Sequence, residues 1–401
     1  MKSLALFISI HIPVIYHKHP FSEIAITEEY IDTKRTEEHT KNLVKNKLAP
    51  FLNTVHDLWK QFGESFKLGF SISGISIRLL QKYTPEIINK IKFLADRGAI
   101  EFFAEPWSHS VLSLIVEKEL VQQTELHREI INKLFNQTPT AFLATTTLNA
   151  KLYNQFEPFP GCKTIFTYSN HISQYGNQSK VPDIKTVVKS EFLINYFLSS
   201  KLQYIVSDQS LIEGQALVAP FKRYIRKYVS LVKPLILLLD PLAVNISSYK
   251  KLKDTISRLL NNTGNSFYSV SDLEEVAKYF SIENDYSEAM LSQFKHPDYW
   301  LKNNMQQEAF KQFKNIYKVI HAGEKSYIPE AWDYLQDLNN YFYMSDFFFL
   351  EKFASRHFSP FRSPHEAFTS YMNAAGNFWN IKINNPEMYF KTNFLFAPTI
   401  N

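Results

Sequence analysis

A single cysteine, Cys162, stands in 401 residues. One thiol excludes an intrachain disulfide and a thiolate metal cluster, and it accords with a reducing compartment. Glycine is scarce, 10 residues against 34 Phe and 22 Tyr. That scarcity leaves no glycine-rich phosphate loop, and no Gly-x-Ser-x-Gly nucleophile elbow occurs. No two histidines stand at the H-x-x-x-H spacing that turns two imidazoles toward one zinc ion. The chain is therefore expected to use neither metal nor cofactor. Neither sign of charge prevails: 44 basic against 39 acidic residues leave +5. Spread over this length, that balance argues against a nucleic-acid or membrane-surface partner. No apolar run reaches the roughly 18 residues needed to cross a bilayer. The best candidate, Pro234 to Val244, is broken by Asp240. Met1 to Ile10 is apolar enough for a short leader, but His11-Ile12-Pro13 follows in place of a small-residue cleavage site. A buried first strand and a cytoplasmic protein are the expectation.

What is present is an ordinary globular composition, 45% hydrophobic and 21% charged. Leu4 to Ile12 is nearly all apolar, as in a strand covered on both faces. Arg35 to Phe62 carries apolar residues at three- and four-residue spacing and predicts a long helix. Further strands are expected at Lys67–Ser73, Ile100–Ala104, Ala141–Thr145, Lys163–Tyr168, Tyr204–Val206 and Leu235–Leu239. Helices are expected from Pro85 to near Gly98, over Val116–Phe135, over Ser248–Leu260 and over Ser271–Tyr279. Residues 170 to 215 read as irregular. Strands separated by helices imply a parallel sheet, closed or open. From Tyr299 to Lys382 the pattern is helical throughout, and Ser363-Pro364-His365-Glu366 is a capping box. The chain thus divides into an α/β domain over 1–285 and a helical domain over 286–401.

In parallel barrels, chemistry sits at the C-terminal ends of strands. Those positions hold His11, then Glu105 followed by Trp107 and His109, then Thr145-Thr146-Thr147, then Asp208, then Asp240. Polar groups around an indole suit a sugar, whose hydroxyls need hydrogen bonds and whose apolar face stacks on a ring. Each residue also has a plainer role open to it: a satisfied structural histidine, a turn-capping or lysine-paired Glu105, a core Trp107. Asp240 follows five apolar residues, where a carboxylate must be hydrogen-bonded or functional. Lys222 to Tyr228 is basic and aromatic and fits a solvated helix face or an anionic partner.

At these residues the sequence resembles glycoside hydrolase family 57, in particular its α-amylase-like members. Ile10-His11-Ile12-Pro13 is similar to the family's x-H-Q-P, and Phe70-Ser71-Ile72-Ser73-Gly74 to its second-strand motif. Glu105-Pro106-Trp107-Ser108-His109-Ser110 is similar to E-x-x-S-H-S, and Ser207-Asp208-Gln209 to an S-D-Q segment. The C-terminal part agrees at Trp300-Leu301, Asn304-Met305-Gln306, Tyr341 to Met344 and Ser363 to Asn373. The resemblance implies an incomplete, TIM-like (β/α)7 barrel followed by an α-helical bundle that helps close the cleft. It also implies action on α-glucans with retention, by a Glu nucleophile and an Asp general acid. The acid's position falls on Asp240. The nucleophile's position falls on Thr146, and no Asp or Glu stands between Glu129 and Glu157. The family's Y-E-T-F-G-E-H after the acid is Pro241 to Ser247 here, and a pocket-facing D-H pair is Asn339-Asn340.

These departures lead to an expectation of an amylase-like protein of starch or glycogen metabolism that keeps the sugar cleft without normal hydrolysis. Its partner would be an α-glucan or oligosaccharide held by His11, Glu105, Trp107, His109 and Asp208. Two alternatives stay open. One is an active retaining hydrolase or glucanotransferase using Glu105 or Asp208 as a displaced nucleophile. The other is a purely structural or interaction protein.

Overall fold

In the computed structural model the strands are, in chain order, β1 (Lys2–Ile10), β2 (Leu68–Ile72), β3 (Ile100–Phe102), β4 (Ala141–Leu143), β5 (Thr164–Phe166), β6 (Thr186–Val188), β7 (Leu235–Leu239) and β8 (Asn265–Phe267). The structure describes residues 2–17, 29–111, 116–143, 161–162, 164–166, 186–188, 235–239, 241–243, 246–261, 265–277, 301, 303–321, 330–345 and 359–380. The strand expected at Tyr204–Val206 and the basic stretch Lys222–Tyr228 lie outside them.

β1 is the strand on which the others gather. Ala5 to Ile8 and Ile10 are buried, in keeping with a parallel strand covered on both faces. β2 pairs with it in parallel, with Phe7 opposite Gly69 and Ile10 opposite Ile72. β7 pairs along Leu4 to Ile8, and β8 along Lys2 to Leu4. β3 continues the sheet beyond β2, giving the order β3-β2-β1-β7 with β8 off that line. β4, β5 and β6 form a second parallel sheet. The two are stitched at one residue. Ala104, just past β3, donates to Ala141 O at 2.8 Å and accepts from Leu143 N at 2.9 Å. Glu105 is the next residue, so it leaves a point tied to both sheets.

Packing explains one glycine here. A Cβ on Gly69 would come within 2.5 Å of the Phe103 ring and 2.8 Å of Phe7. Those two rings meet edge to face at 4.6 Å across the space that Gly69 leaves open.

The connecting helices follow the sequence in most places. α1 (Thr33–Leu43) runs through a π-helical stretch, Val44–Leu48, into α2 (Ala49–Phe62). α3 (Gly74–Tyr83) and α4 (Pro85–Ala95) follow β2, and α5 (Glu117–Phe135) follows β3. α6 (Ile246–Leu260) and α7 (Val270–Ala277) flank β8. The structure adds elements that the sequence reading leaves out. α3 occupies a stretch to which the sequence reading assigns no element, β6 lies inside the segment read as irregular, and β8 is new.

The chain forms two compact units, Met1–Ile12 with His39–Lys295, and Pro13–Glu38 with His296–Asn401. The second takes in 13–38, a stretch the sequence reading gives to the first domain. Its helices are α8 (Asn304–His321), α9 (Glu330–Leu335), α10 (Asn339–Tyr343) and α11 (Pro364–Phe378). Trp332 stacks on Phe313 at 4.9 Å. The Tyr16 hydroxyl donates to Tyr334 O at 2.7 Å, and the Tyr341 and Tyr371 hydroxyls lie 3.1 Å apart. Burial holds all three phenols above their usual pKa, so they remain neutral donors. Ser363 caps α11 by accepting from Glu366 N, while the Glu366 carboxylate accepts from Arg362 N, one residue before the usual partner of a capping box.

Candidate functional site at the strand ends

The C-terminal ends of β1, β2 and β3 bring together residues far apart in sequence. His11 is the first residue past β1. Its ring stacks on His109 with centroids 4.6 Å apart and planes 21° from parallel. Its Nδ1 lies 2.8 Å from Ser73 Oγ, at the end of β2. Ser73 in turn caps α3 by accepting from Ser76 N.

Glu105 is the buried carboxylate of the group, 1% exposed. Such a group must be paired or hydrogen-bonded. Ser71 Oγ donates to its Oε1 at 2.8 Å, and His109 Nδ1 lies 3.8 Å from Oε2. A third imidazole, His127 on α5, sits 4.0 Å from Oε1 and is fully buried. Its Nδ1 accepts from Glu105 N at 3.4 Å, and its Nε2 lies 2.8 Å from Ile72 O. An acceptor on one nitrogen and a carbonyl facing the other make this ring the neutral Nε2–H form. Burial lowers the pKa of His127, and the nearby Glu105 and the Ile72 carbonyl oppose that only in part.

The turn after Glu105 is tight. His109 N donates to Pro106 O at 3.0 Å, and His109 adopts φ 52°, the left-handed region that a non-glycine residue seldom enters. Ser108 N donates to Gln123 Oε1 at 2.7 Å, and Trp107 N to Gln123 O at 3.2 Å. The indole of Trp107 lies against the start of α3: a Cβ on Gly74 would fall 2.1 Å from it. The Arg78 guanidinium sits 5.2 Å from the ring centroid. Trp107 and His109 keep part of their surface exposed.

Of the residues expected at the site, His109 links two others, stacking on His11 and lying 3.8 Å from Glu105, and Trp107 packs on the residue that follows His11's partner, Ser73. Thr146, Asp208 and Asp240 lie outside the described residues. In the second unit the Asn340 amide donates to Tyr16 Oη at 2.9 Å and to Tyr334 O at 3.0 Å, so it is engaged in packing. Sequence reasoning missed His127, Ser76 and the polar stripe Glu119, Gln123 and His127 on α5. Their four-residue spacing was visible, but nothing marked that face as buried. Among the described residues, no group of three or more His, Cys, Asp or Glu is arranged to hold a metal ion. No helix among them is long and apolar enough to cross a membrane.

Comparison with known proteins bears on the family and the fold. The family model of glycosyl hydrolase family 57 matches residues 5–211. The chain is 26% identical over 141 residues to a protein of Methanocaldococcus jannaschii, a match covering 35% of this chain. It is 35% identical over 74 residues, 18% of this chain, to alpha-amylase 1 of Dictyoglomus thermophilum. The matched stretches span only 30% and 11% of those two proteins. The fold is similar to the crystal structure of a GH57-type branching enzyme from Pyrococcus horikoshii, with a TM-score of 0.56 at 11% identity, over 95% of this chain and 88% of that one.

Proposed function

From a chain that belongs to glycosyl hydrolase family 57, we propose a protein of starch or glycogen metabolism that binds α-glucan and hydrolyses it very slowly or not at all. On this reading β1 to β7 are the strands of an incomplete, TIM-like (β/α)7 barrel, since β8 pairs only with the first residues of β1. The helices of the second unit belong to a C-terminal bundle.

The observation that carries the reading is the cluster at the ends of β1, β2 and β3. Two stacked imidazoles, a carboxylate held by Ser71 and a partly exposed indole offer the donors, acceptor and apolar face that a glucose unit requires. His11, Glu105, Trp107, His109 and Asp208 bind the sugar. Asp240, next in the chain after β7, stands at the general-acid position. Thr146, three residues past β4, stands at the nucleophile position.

Retaining hydrolysis needs two carboxyl groups about 5 Å apart. A threonine hydroxyl holds its proton too firmly to attack an acetal without a strong base. Nor can it place negative charge beside an oxocarbenium-like transition state. Losing such a group typically costs several powers of ten in rate.

Glu105 favours a second reading, an active retaining hydrolase or glucanotransferase with a displaced nucleophile. It is a buried carboxylate at a strand end, within 3.8 Å of an imidazole. Its bond from Ser71 and its place between His109 and His127 equally fit a group that orients sugar-binding side chains.

The test is calorimetry and reducing-sugar release with the purified chain and maltooligosaccharides, amylose or glycogen. Binding without turnover is expected. Thr146→Glu should raise activity in part, because the segment after Asp240 and the Asn339-Asn340 pair also differ from active members. Wild-type turnover at about 1 per second or faster would overturn the reading. Loss of that turnover in Glu105→Ala or Asp208→Ala would then name the nucleophile.

A further inference from the structure

We propose that Ser73 and Ser76 are positioning residues: a one-way hydrogen-bond relay through them holds His11 in its neutral Nε2–H form. In that form the Nε2 edge of His11 is a hydrogen-bond donor and not a base.

The relay begins at a group that can only donate. Ile12 N–H donates to Ser76 Oγ at 2.7 Å. Ser76 Oγ lies 2.9 Å from Ser73 Oγ, and Ser73 Oγ lies 2.8 Å from His11 Nδ1. Ser73 Oγ also accepts from Ser76 N at 3.2 Å. Both serines are wholly buried. A hydroxyl has one proton to give and two lone pairs to accept with, so only two arrangements of protons are open.

In the first, Ser76 accepts from Ile12 N and donates to Ser73. Ser73 accepts from both the hydroxyl and the amide of Ser76 and donates its own proton to His11 Nδ1. Every proton of the two serines, of Ile12 N and of Ser76 N then has an acceptor. In the second, His11 Nδ1–H donates to Ser73 and Ser73 donates to Ser76. The Ser76 proton is then left without an acceptor among the described residues, in a position water does not reach. Buried polar groups in folded proteins are paired almost without exception, so the first arrangement prevails. Nδ1 is thereby an acceptor, and the proton of the neutral ring is on Nε2.

The stack against His109 fixes the plane of the His11 ring, and the relay fixes its edge. Nε2–H is therefore the polar edge turned away from Ser73. If His11 lines the glucan cleft, a point that rests on the proposed function, the contact asks the ligand for an acceptor oxygen. A hydroxyl, ring or glycosidic oxygen meets that requirement.

The experiment is a long-range nitrogen–proton NMR spectrum of the full-length, 15N-histidine-labelled protein. It is recorded without ligand under mildly alkaline conditions, with His11 assigned by the loss of its signals in His11→Gln. Wild type should show a pyridine-like Nδ1 and a protonated, pyrrole-like Nε2. Ser73→Thr, which keeps a hydroxyl at the cap, should show the same. Ser73→Asp still caps α3 but offers only acceptor oxygens. It should move a proton onto Nδ1 and weaken maltooligosaccharide binding about tenfold, the loss of roughly one hydrogen bond. A wild-type ring protonated on Nδ1 overturns the proposal even if no variant folds. So does a Ser73→Asp protein whose His11 stays neutral on Nε2. The spectra need no ligand, so failure of glucan binding would overturn the proposed function and leave the relay intact. Failure of the relay would leave the wild-type glucan affinity untouched.

Discussion

His127 engages two backbone groups at once: it accepts from Glu105 N and faces Ile72 O. Replacing it with leucine, His127→Leu, leaves a buried N–H and a buried carbonyl without partners. The expected cost is about 2–5 kcal/mol, read by denaturant unfolding. Its pH behaviour has a definite sign. The folded-state pKa lies below the ordinary 6.5, because burial disfavours the imidazolium. The stability it contributes is therefore present above about pH 6.5 and is lost as pH falls through the folded-state value. Wild type should lose part of its unfolding free energy on acidification over that window, and His127→Gln should lose less. His109 provides a different check. Its left-handed backbone favours glycine, so His109→Gly should be more stable than His109→Ala by about 1 kcal/mol, while both lose the stack on His11 and bind glucan more weakly. The strand-end residues could be read from the sequence because His11 and Glu105 each follow an apolar run, with His109 four residues beyond Glu105. His127 could not. On α5 the apolar Leu126 is 51% exposed while the polar Gln123, Thr124 and His127 are buried, the reverse of what hydropathy assigns.

At the scale of elements, α3 shows why a turn of helix escaped notice. Gly74-Ile75-Ser76-Ile77 alternates small or polar with β-branched residues and so carries the pattern of a strand. What makes it a helix is the Ser73 cap together with burial of Ile75, Ile77, Leu79 and Leu80. The start of that helix also seats Trp107. Gly74→Ala adds a carbon 2.1 Å from the indole, so the ring must leave its place. A loss of about 1–3 kcal/mol in stability is expected, with weaker glucan binding and an altered near-ultraviolet dichroism of the tryptophans. An unchanged affinity would show that the indole is not part of the glucan contact. β1, β2 and β7 were legible because five or more consecutive apolar or small residues have few alternatives. β6 and β8 are three residues each, too short for either periodicity to register.

For the whole molecule, the division into units is not a division of the chain. Residues 13–38 leave the end of β1 and join the unit formed by 296–401. Tyr16 is 1% exposed there, its hydroxyl bonded to Tyr334 O and Asn340 Nδ2 and its ring edge-on to Tyr371. A chain cut after Lys295 would retain Tyr16 without Tyr334, Asn340 and Tyr371, which bury it. Poor solubility and rapid proteolysis within 13–38 are expected, checked by gel filtration and limited trypsin digestion. A soluble, monomeric 1–295 fragment would show that this segment finds another burial site.

The pairing of β1 with β7 also bears on the order in which the protein is made. Leu4 lies opposite Leu235 and Ile8 opposite Leu239. At about 5–20 residues per second, roughly 10 to 50 seconds separate the emergence of β1 from that of its neighbour. During that interval a row of unsatisfied backbone groups lines one side of a strongly apolar strand, open to another nascent chain. Among the described strands, β1 waits longest for a partner, so holdase chaperones and slow, concentration-sensitive refolding should govern the yield more than the stability of the finished fold.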